Sequence, residues 1–113
     1  MWFVVMASLL VSPVHGAPLR GSFVAFPVIP TSSGVMYSDV ILRGNETTVV
    51  DVKSKGGNVD CTVFDSNANV VAEDNGPHNS CSIRIKPKKT SRYTVLVTNV
   101  DAKKIAVATV MIQ

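Results

Sequence analysis

Nucleophilic catalysis needs a nucleophile, a base and an orienting group within hydrogen-bond reach of one another. Past residue 16 the chain offers one histidine, His78, in the run Asn75-Gly76-Pro77-His78-Asn79. That composition reads as a loop, so the expectation is a solvent-exposed imidazole and not a general base. The sequence has no G-x-S-x-G elbow, no H-E-x-x-H helix and no glycine-rich phosphate loop. The residue types therefore point away from an enzyme, with no catalytic residues and no cofactor-binding residues to assign.

The two cysteines, Cys61 and Cys81, carry a different chemistry. Together with one histidine they cannot supply the four ligands of a structural zinc site. An even number of cysteines in an exported chain favours a disulfide. If the strands bearing Cys61 and Cys81 are adjacent, an inward cysteine on each can be bridged at the spacing of a cross-strand pair. Two separate buried thiols are the alternative.

Asp65-Ser66-Asn67-Ala68-Asn69 has the oxygen spacing of the first half of a calcium loop. Such a loop next needs glycine at its sixth position and an acid at its twelfth. Those positions hold Val70 and Gly76, so the run reads as an Asx-rich turn and no metal site is assigned. Convergence of Asp60, Asp65, Glu73 and Asp74 from different strands stays open at this point. Arg84, Lys86, Lys88, Lys89 and Arg92 cluster around Pro87, and Lys103-Lys104 add a second basic turn. They read first as a solvated face with edge lysines, and second as a patch for an anionic partner. A net charge of +3 and Tyr93 as the sole neighbouring aromatic argue against nucleic acid. Sugar-stacking platforms use exposed Trp or Tyr. The one tryptophan, Trp2, lies in the apolar N-terminus, leaving Tyr37 and Phe64 as candidate outward aromatics. Asn45-Glu46-Thr47 is a glycosylation sequon, relevant in a eukaryotic secretory pathway.

These residues must be positioned by strands. From Val35 on, Val- and Thr-rich runs alternate apolar with polar and are divided by turn residues. The expected strands are Tyr37–Leu42, Thr47–Lys53, Val59–Asp65, Val70–Glu73, Cys81–Lys86, Tyr93–Asn99 and Ile105–Ile112. About seven short strands with short links predict an all-β, antiparallel β-sandwich over 35–113. Val59, Cys61 and Val63 share one face, and Cys81, Ile83 and Ile85 another, both expected inward. Residues 17–34 hold Pro18, Pro27 and Pro30 and read as a linker or short extension, with a short edge strand at Ser22–Phe26.

Before them lies an apolar run from Trp2 to Val11, too short for a bilayer span of ~20 residues. Pro13 and the small residues Gly16 and Ala17 follow. The pattern is that of a signal peptide over 1–16 cleaved near Gly16, although no Lys or Arg precedes the run. An apolar N-terminal strand or a membrane-surface anchor is the alternative. Cleavage implies export to the periplasm or the extracellular space.

The order of motifs adds a resemblance. Leu42-Arg43-Gly44-Asn45-Glu46 leads into Val49-Val50-Asp51-Val52. Then come Gly57-Asn58-Val59-Asp60-Cys61-Thr62-Val63-Phe64-Asp65, Asn69-Val70-Val71-Ala72 and Cys81-Ser82-Ile83 before Pro87. Ser91-Arg92-Tyr93-Thr94-Val95 and Val97-Thr98-Asn99 close the series. This order resembles the bacterial pre-peptidase C-terminal domain family over about two-thirds of the chain. Thr62 stands where that family has an Asp, and Ile85 where it has a Trp. The resemblance implies a β-sandwich module of exported bacterial proteins, often appended to secreted proteases. The expectation is a non-enzymatic exported module with a binding or structural role and a protein or polysaccharide partner. An accessory or inhibitor-like partner of a secreted hydrolase is the alternative.

Overall fold

Alternating Val, Ile and Cys give each strand one apolar side, and two sheets close face to face over those sides. The computed structural model describes residues 10–14, 22–76 and 78–113. Its strands are β1 (Leu10–Val14), β2 (Phe23–Ala25), β3 (Val28–Ile29), β4 (Ser33–Leu42), β5 (Thr48–Lys55), β6 (Val59–Phe64), β7 (Val70–Asp74), β8 (Ser80–Ile85), β9 (Ser91–Asn99) and β10 (Ala106–Ile112). The first sheet has the order β1-β4-β9-β6-β7 and the second β2-β10-β5-β8, with β3 also paired to β10. β1 lies parallel to β4, and the other pairings are antiparallel. The expected all-β sandwich is the fold observed. Among the described residues no helix is long and apolar enough to cross a membrane.

All seven expected strands are present, as β4 to β10, and β4 starts earlier than expected, at Ser33. The core is built from their inward sides, including Val50 and Val52 of β5, Val59 and Val63 of β6, Val95 and Val97 of β9, and Val110 and Ile112 of β10. Three further strands lie nearer the N-terminus. In the stretch 17–34, read as a linker or short extension, the expected short edge strand at Ser22–Phe26 is present as β2, and β3 follows beyond Pro27. Prolines 27 and 30 split the stretch, but Phe23, Ala25 and Ile29 turn inward and the backbone pairs with β10. Phe23 meets Tyr37 edge to face, with ring centroids 5.3 Å apart. Tyr37 is 3% exposed, so its reading as an outward aromatic is also corrected. Burial raises its phenol above the ordinary value. The expected cleavage site near Gly16 lies outside the described residues, as does most of the apolar leader; its Leu10–Val14 portion is the strand β1.

Cys61 and Cys81 form a disulfide, with Cα atoms 6.0 Å apart. They are not neighbours within one sheet, as the cross-strand geometry required. Cys61 lies on β6 of the first sheet and Cys81 on β8 of the second. Facing sheets usually stand about 10 Å apart, so this corner of the sandwich is drawn in. Nearby, Asp74 at the end of β7 accepts the Ser82 N–H of β8 at 2.9 Å, a second tie between the sheets.

The opposite closure is polar. Asn99, the last residue of β9, is fully buried. Its side-chain amide donates to the carbonyls of Ile29 (3.1 Å), Pro30 (3.3 Å) and Lys104 (2.8 Å), and its Oδ1 accepts the Asp101 N–H at 3.0 Å. One side chain thus holds the N-terminal segment and the β9–β10 loop together.

Candidate binding cleft

The outer face of the first sheet carries an apolar row. On β6, Val59, Cys61 and Val63 point inward, which leaves Asp60, Thr62 and Phe64 outward. Leu96 lies between inward Val95 and Val97 and so faces outward, yet it is only 9% exposed. Met36 pairs with Leu96 across β4 and β9, and Thr62 pairs with Leu96 on the other side. Met36, Leu96 and Phe64 thereby floor a cleft of about 400 Å³, completed by Asp39, Asp65, Ser66, Ala68, Arg92, Tyr93 and Thr94. A second depression shares Asp65, Ser66 and Tyr93 with it and adds Asn67, Lys88, Lys89 and Ser91. An apolar floor therefore runs into a basic rim.

Three connections position the rim. In the β6–β7 turn, Asp65 Oδ1 accepts the N–H groups of Asn67 and Asn69, each at 2.9 Å. Those bonds hold its carboxyl below the ordinary value, the Asn69 N–H foremost. This is the Asx turn read from the sequence, with the Asp65 carboxylate engaged by backbone N–H groups of its own turn. The β8–β9 loop is braced by the β4–β5 turn: Gly44 N–H donates to Thr90 Oγ1 at 3.0 Å and Asn45 N–H to the Pro87 carbonyl at 2.7 Å. A side chain at residue 44 would stand 2.6 Å from Lys89 Cα, so the approach requires glycine. The third connection is a register shift in β4 between Tyr37 and Val40. It places Asp39 at φ 57, where its carboxylate meets Arg92 at 3.5 Å. Both side chains are largely exposed, so this pair contributes at most ~1 kcal/mol. Lys88 and Lys89 have no ion-pair partner among the described residues.

The structure divides the basic run. Lys88, Lys89 and Arg92 border the cleft, whereas Arg84 points outward from β8 in the other sheet and Lys86 is exposed. Lys103 and Lys104 lie at the far end of β9, where their N–H groups donate to Asp101 Oδ1 at 2.8 and 3.1 Å. His78 is exposed in the β7–β8 loop, and its carbonyl accepts the Val59 N–H at the end of β6 away from the cleft.

The acids do not converge as a set. Asp65 belongs to the turn, while Asp60 sits beside Glu73 and Asp74 along β6 and β7. No group of three His, Cys, Asp or Glu side chains takes up metal-holding geometry among the described residues. Burial raises the Asp60 carboxyl above its ordinary value, and the Asp74 and Glu73 carboxylates add to that. The folded chain then holds this proton more tightly than the unfolded chain. The associated stability is complete below the ordinary carboxyl range and is lost as pH rises through the raised value. Asp60→Asn is expected to melt higher than the parent near neutrality, with the gap closing toward about pH 3. Paired thermal melts across that range check it, and a gap that widens in acid would contradict the sign.

Phe64, Lys88, Lys89, Arg92 and Tyr93 were visible in the sequence as chemistry-bearing residues, whereas Met36 and Leu96 were not. The available signal was the unbroken apolar run Val95-Leu96-Val97, a pattern shared with Val40-Ile41-Leu42 and Val110-Met111-Ile112. Such a run marks a strand covered on both faces.

None of the protein-family models and none of the curated proteins matches the chain. Two solved structures share its fold. The pre-peptidase C-terminal domain of a collagenase from Bacillus anthracis is 14% identical, with a TM-score of 0.58 over 93% of this chain and 94% of that one. PliG from Aeromonas hydrophila, a periplasmic lysozyme inhibitor of g-type lysozyme, is 16% identical, with a TM-score of 0.57 over 94% of this chain and 98% of that one. The resemblance to the pre-peptidase C-terminal family thus reappears in three dimensions, and the β-sandwich of this chain is also the fold of a periplasmic lysozyme inhibitor.

Proposed function

We propose that this chain is an exported, non-enzymatic β-sandwich module that binds a protein partner in the cleft over β4, β9 and β6. The continuous surface from the apolar floor of Met36, Phe64 and Leu96 to the Lys88–Lys89 rim carries the reading. A buried apolar centre edged by unpaired charge suits a protein with an apolar anchor and acidic neighbours. A sugar platform would need a flat row of aromatics, and here Phe64 and Tyr93 are set among aliphatic and charged groups. The leader pattern and the disulfide support export.

A second reading makes the partner a secreted hydrolase that the module restrains. What favours it is the near end-to-end likeness to PliG. Both readings meet in one experiment. The exported protein is immobilised and challenged with g-type lysozyme and with proteases from the same secretome, and hydrolase activity is measured in parallel. Phe64→Ala and the pair Lys88→Glu, Lys89→Glu are each expected to weaken capture about tenfold or more, and added salt should reduce the contribution of the lysines. Capture unchanged in both variants would remove the cleft from the proposal. Capture without inhibition would leave the binding module and discard the inhibitor.

A further inference from the structure

Seven asparagines are spread along the chain, and Asn75 is the one followed by glycine. An asparagine amide can be attacked by the backbone nitrogen of the next residue, and a glycine there puts no Cβ in the way. The other asparagines precede Glu46, Val59, Ala68, Val70, Ser80 and Val100. Three of them are also held in place. Asn67 and Asn69 are fixed in the Asx turn through their N–H bonds to Asp65, and Asn99 is fully buried with its amide engaged. Asn75 has no such tie. It is exposed just beyond the end of β7. Among the described residues, neither its side chain nor the Gly76 N–H has a hydrogen-bond partner. Gly76 also suits its surroundings, since a Cβ there would crowd the His78 ring, 3.0 Å from its Cδ2.

We propose that Asn75-Gly76 is a self-modification site, at which the folded chain deamidates through a cyclic imide. The Gly76 nitrogen gives its proton to solvent and bonds to Asn75 Cγ. The Cγ–Nδ2 bond breaks, and the nitrogen leaves as ammonia after taking a proton from solvent. Water then opens the five-membered imide at either carbonyl. The products are aspartate or isoaspartate at position 75, with one water consumed and one ammonia released. Either product places a new carboxylate next to Asp74, in the neighbourhood of Glu73 and Asp60. Isoaspartate also lengthens the backbone by one methylene, and the loop is pinned on both sides of it. Asp74 Oδ2 accepts the Ser82 N–H at 2.9 Å, the His78 carbonyl accepts the Val59 N–H at 3.1 Å, and the Asn79 carbonyl accepts the Ser54 N–H at 2.8 Å. Conversion at residue 75 therefore acts on the corner where β7 and β8 tie the two sheets. It stands apart from the proposed binding cleft, which lies toward the other end of β6.

The purified protein is held at neutral pH and sampled over time, beside the Asn75→Gln variant and the parent unfolded in urea. Peptide mapping by mass spectrometry reads a gain of about 1 Da for each amide converted. An isoaspartate methyltransferase reads the lengthened product. In the folded protein, residue 75 is expected to convert about tenfold faster than any other asparagine. Its rate should stay within about tenfold of that in the unfolded chain, because the loop leaves it open. Asn75→Gln should remove the leading isoaspartate signal, since the longer side chain would have to close a larger ring. In the converted fraction, the Val59 and Ser54 amides should exchange about tenfold faster than in the parent. Asn75→Asp adds the charge without the methylene and should loosen them less. Conversion at residue 75 more than about tenfold slower in the folded than in the unfolded chain would mean that the loop shields the site, and overturns it. So does conversion led by another asparagine. Unchanged exchange at Val59 and Ser54 in the converted fraction overturns the coupling to the corner.

Discussion

Asn99→Ala is expected to destabilise the domain by about 3–5 kcal/mol, since each buried polar group left without its partner costs roughly 1–3 kcal/mol. The substitution orphans the carbonyls of Ile29, Pro30 and Lys104 and the N–H of Asp101 together. The Ile29 bond is the buried one, so water does not readily replace it. A domain of this size has a total stability of about 5–15 kcal/mol, so the loss is a large share. With a urea dependence of about 1–3 kcal/mol per molar, the midpoint should fall by roughly 2 M. Asn99→Asp separates geometry from volume. It keeps the shape and the acceptor but replaces the donating amide with a carboxylate facing three carbonyls. It should be at least as damaging as alanine near neutrality and recover partly in acid, where the carboxyl regains a proton to donate. If both variants unfold at the parent's midpoint, the amide is not what holds Ile29 and Pro30 in place.

The same residue shows where the sequence stops being informative. Its position at the end of a strand was legible from the order of motifs. Its partners were not, because Ile29 lies 70 residues away and the bonds go to backbone carbonyls that every residue possesses. The seven strands from β4 onward were legible because period-two alternation is local and each run is bounded by turn residues. β2 was legible as a short edge strand, whereas β3 was hidden between Pro27 and Pro30, which are strong local signals for non-strand structure. Tertiary pairing to β10 outweighed them, with Phe23 and Ile29 filling the core. Tyr37 was misplaced for a related reason. Its face depends on the register shift just beyond it, which moves the inward side from Tyr37 to Val40. The basic run was visible, but only the fold could divide it between two sheets and leave Lys88 and Lys89 at the cleft. Cysteine pairing was legible from the even number and the expected export, whereas its placement between sheets was not, because strand order is set by contacts remote in sequence.

Removal of the Cys61–Cys81 bond is expected to cost about 3 kcal/mol by the loop-entropy relation for a closure of this length. The sequence separation is 20. For a domain near 100 residues that lowers the melting temperature by about 10–15 °C. The bond joins different sheets, which makes the consequence local as well as global. The ties between β6 or β7 and β8 at this corner are the disulfide and the Asp74–Ser82 hydrogen bond. Without the bond, amides of β7 and β8 should exchange before those of β4 and β9. Both sulfurs are buried, so alanine at both positions adds a packing loss to the entropic one. Cys61→Val with Cys81→Ala refills part of that volume without restoring the link. The difference between this pair and the double alanine variant measures packing. The difference between it and the oxidised parent measures the cross-link. A single Cys61→Ala variant should fall with the double alanine variant, because the remaining thiol has no partner to close the loop. Equal melting of oxidised and reduced parent would show that the hydrophobic faces alone hold the two sheets in register at this corner.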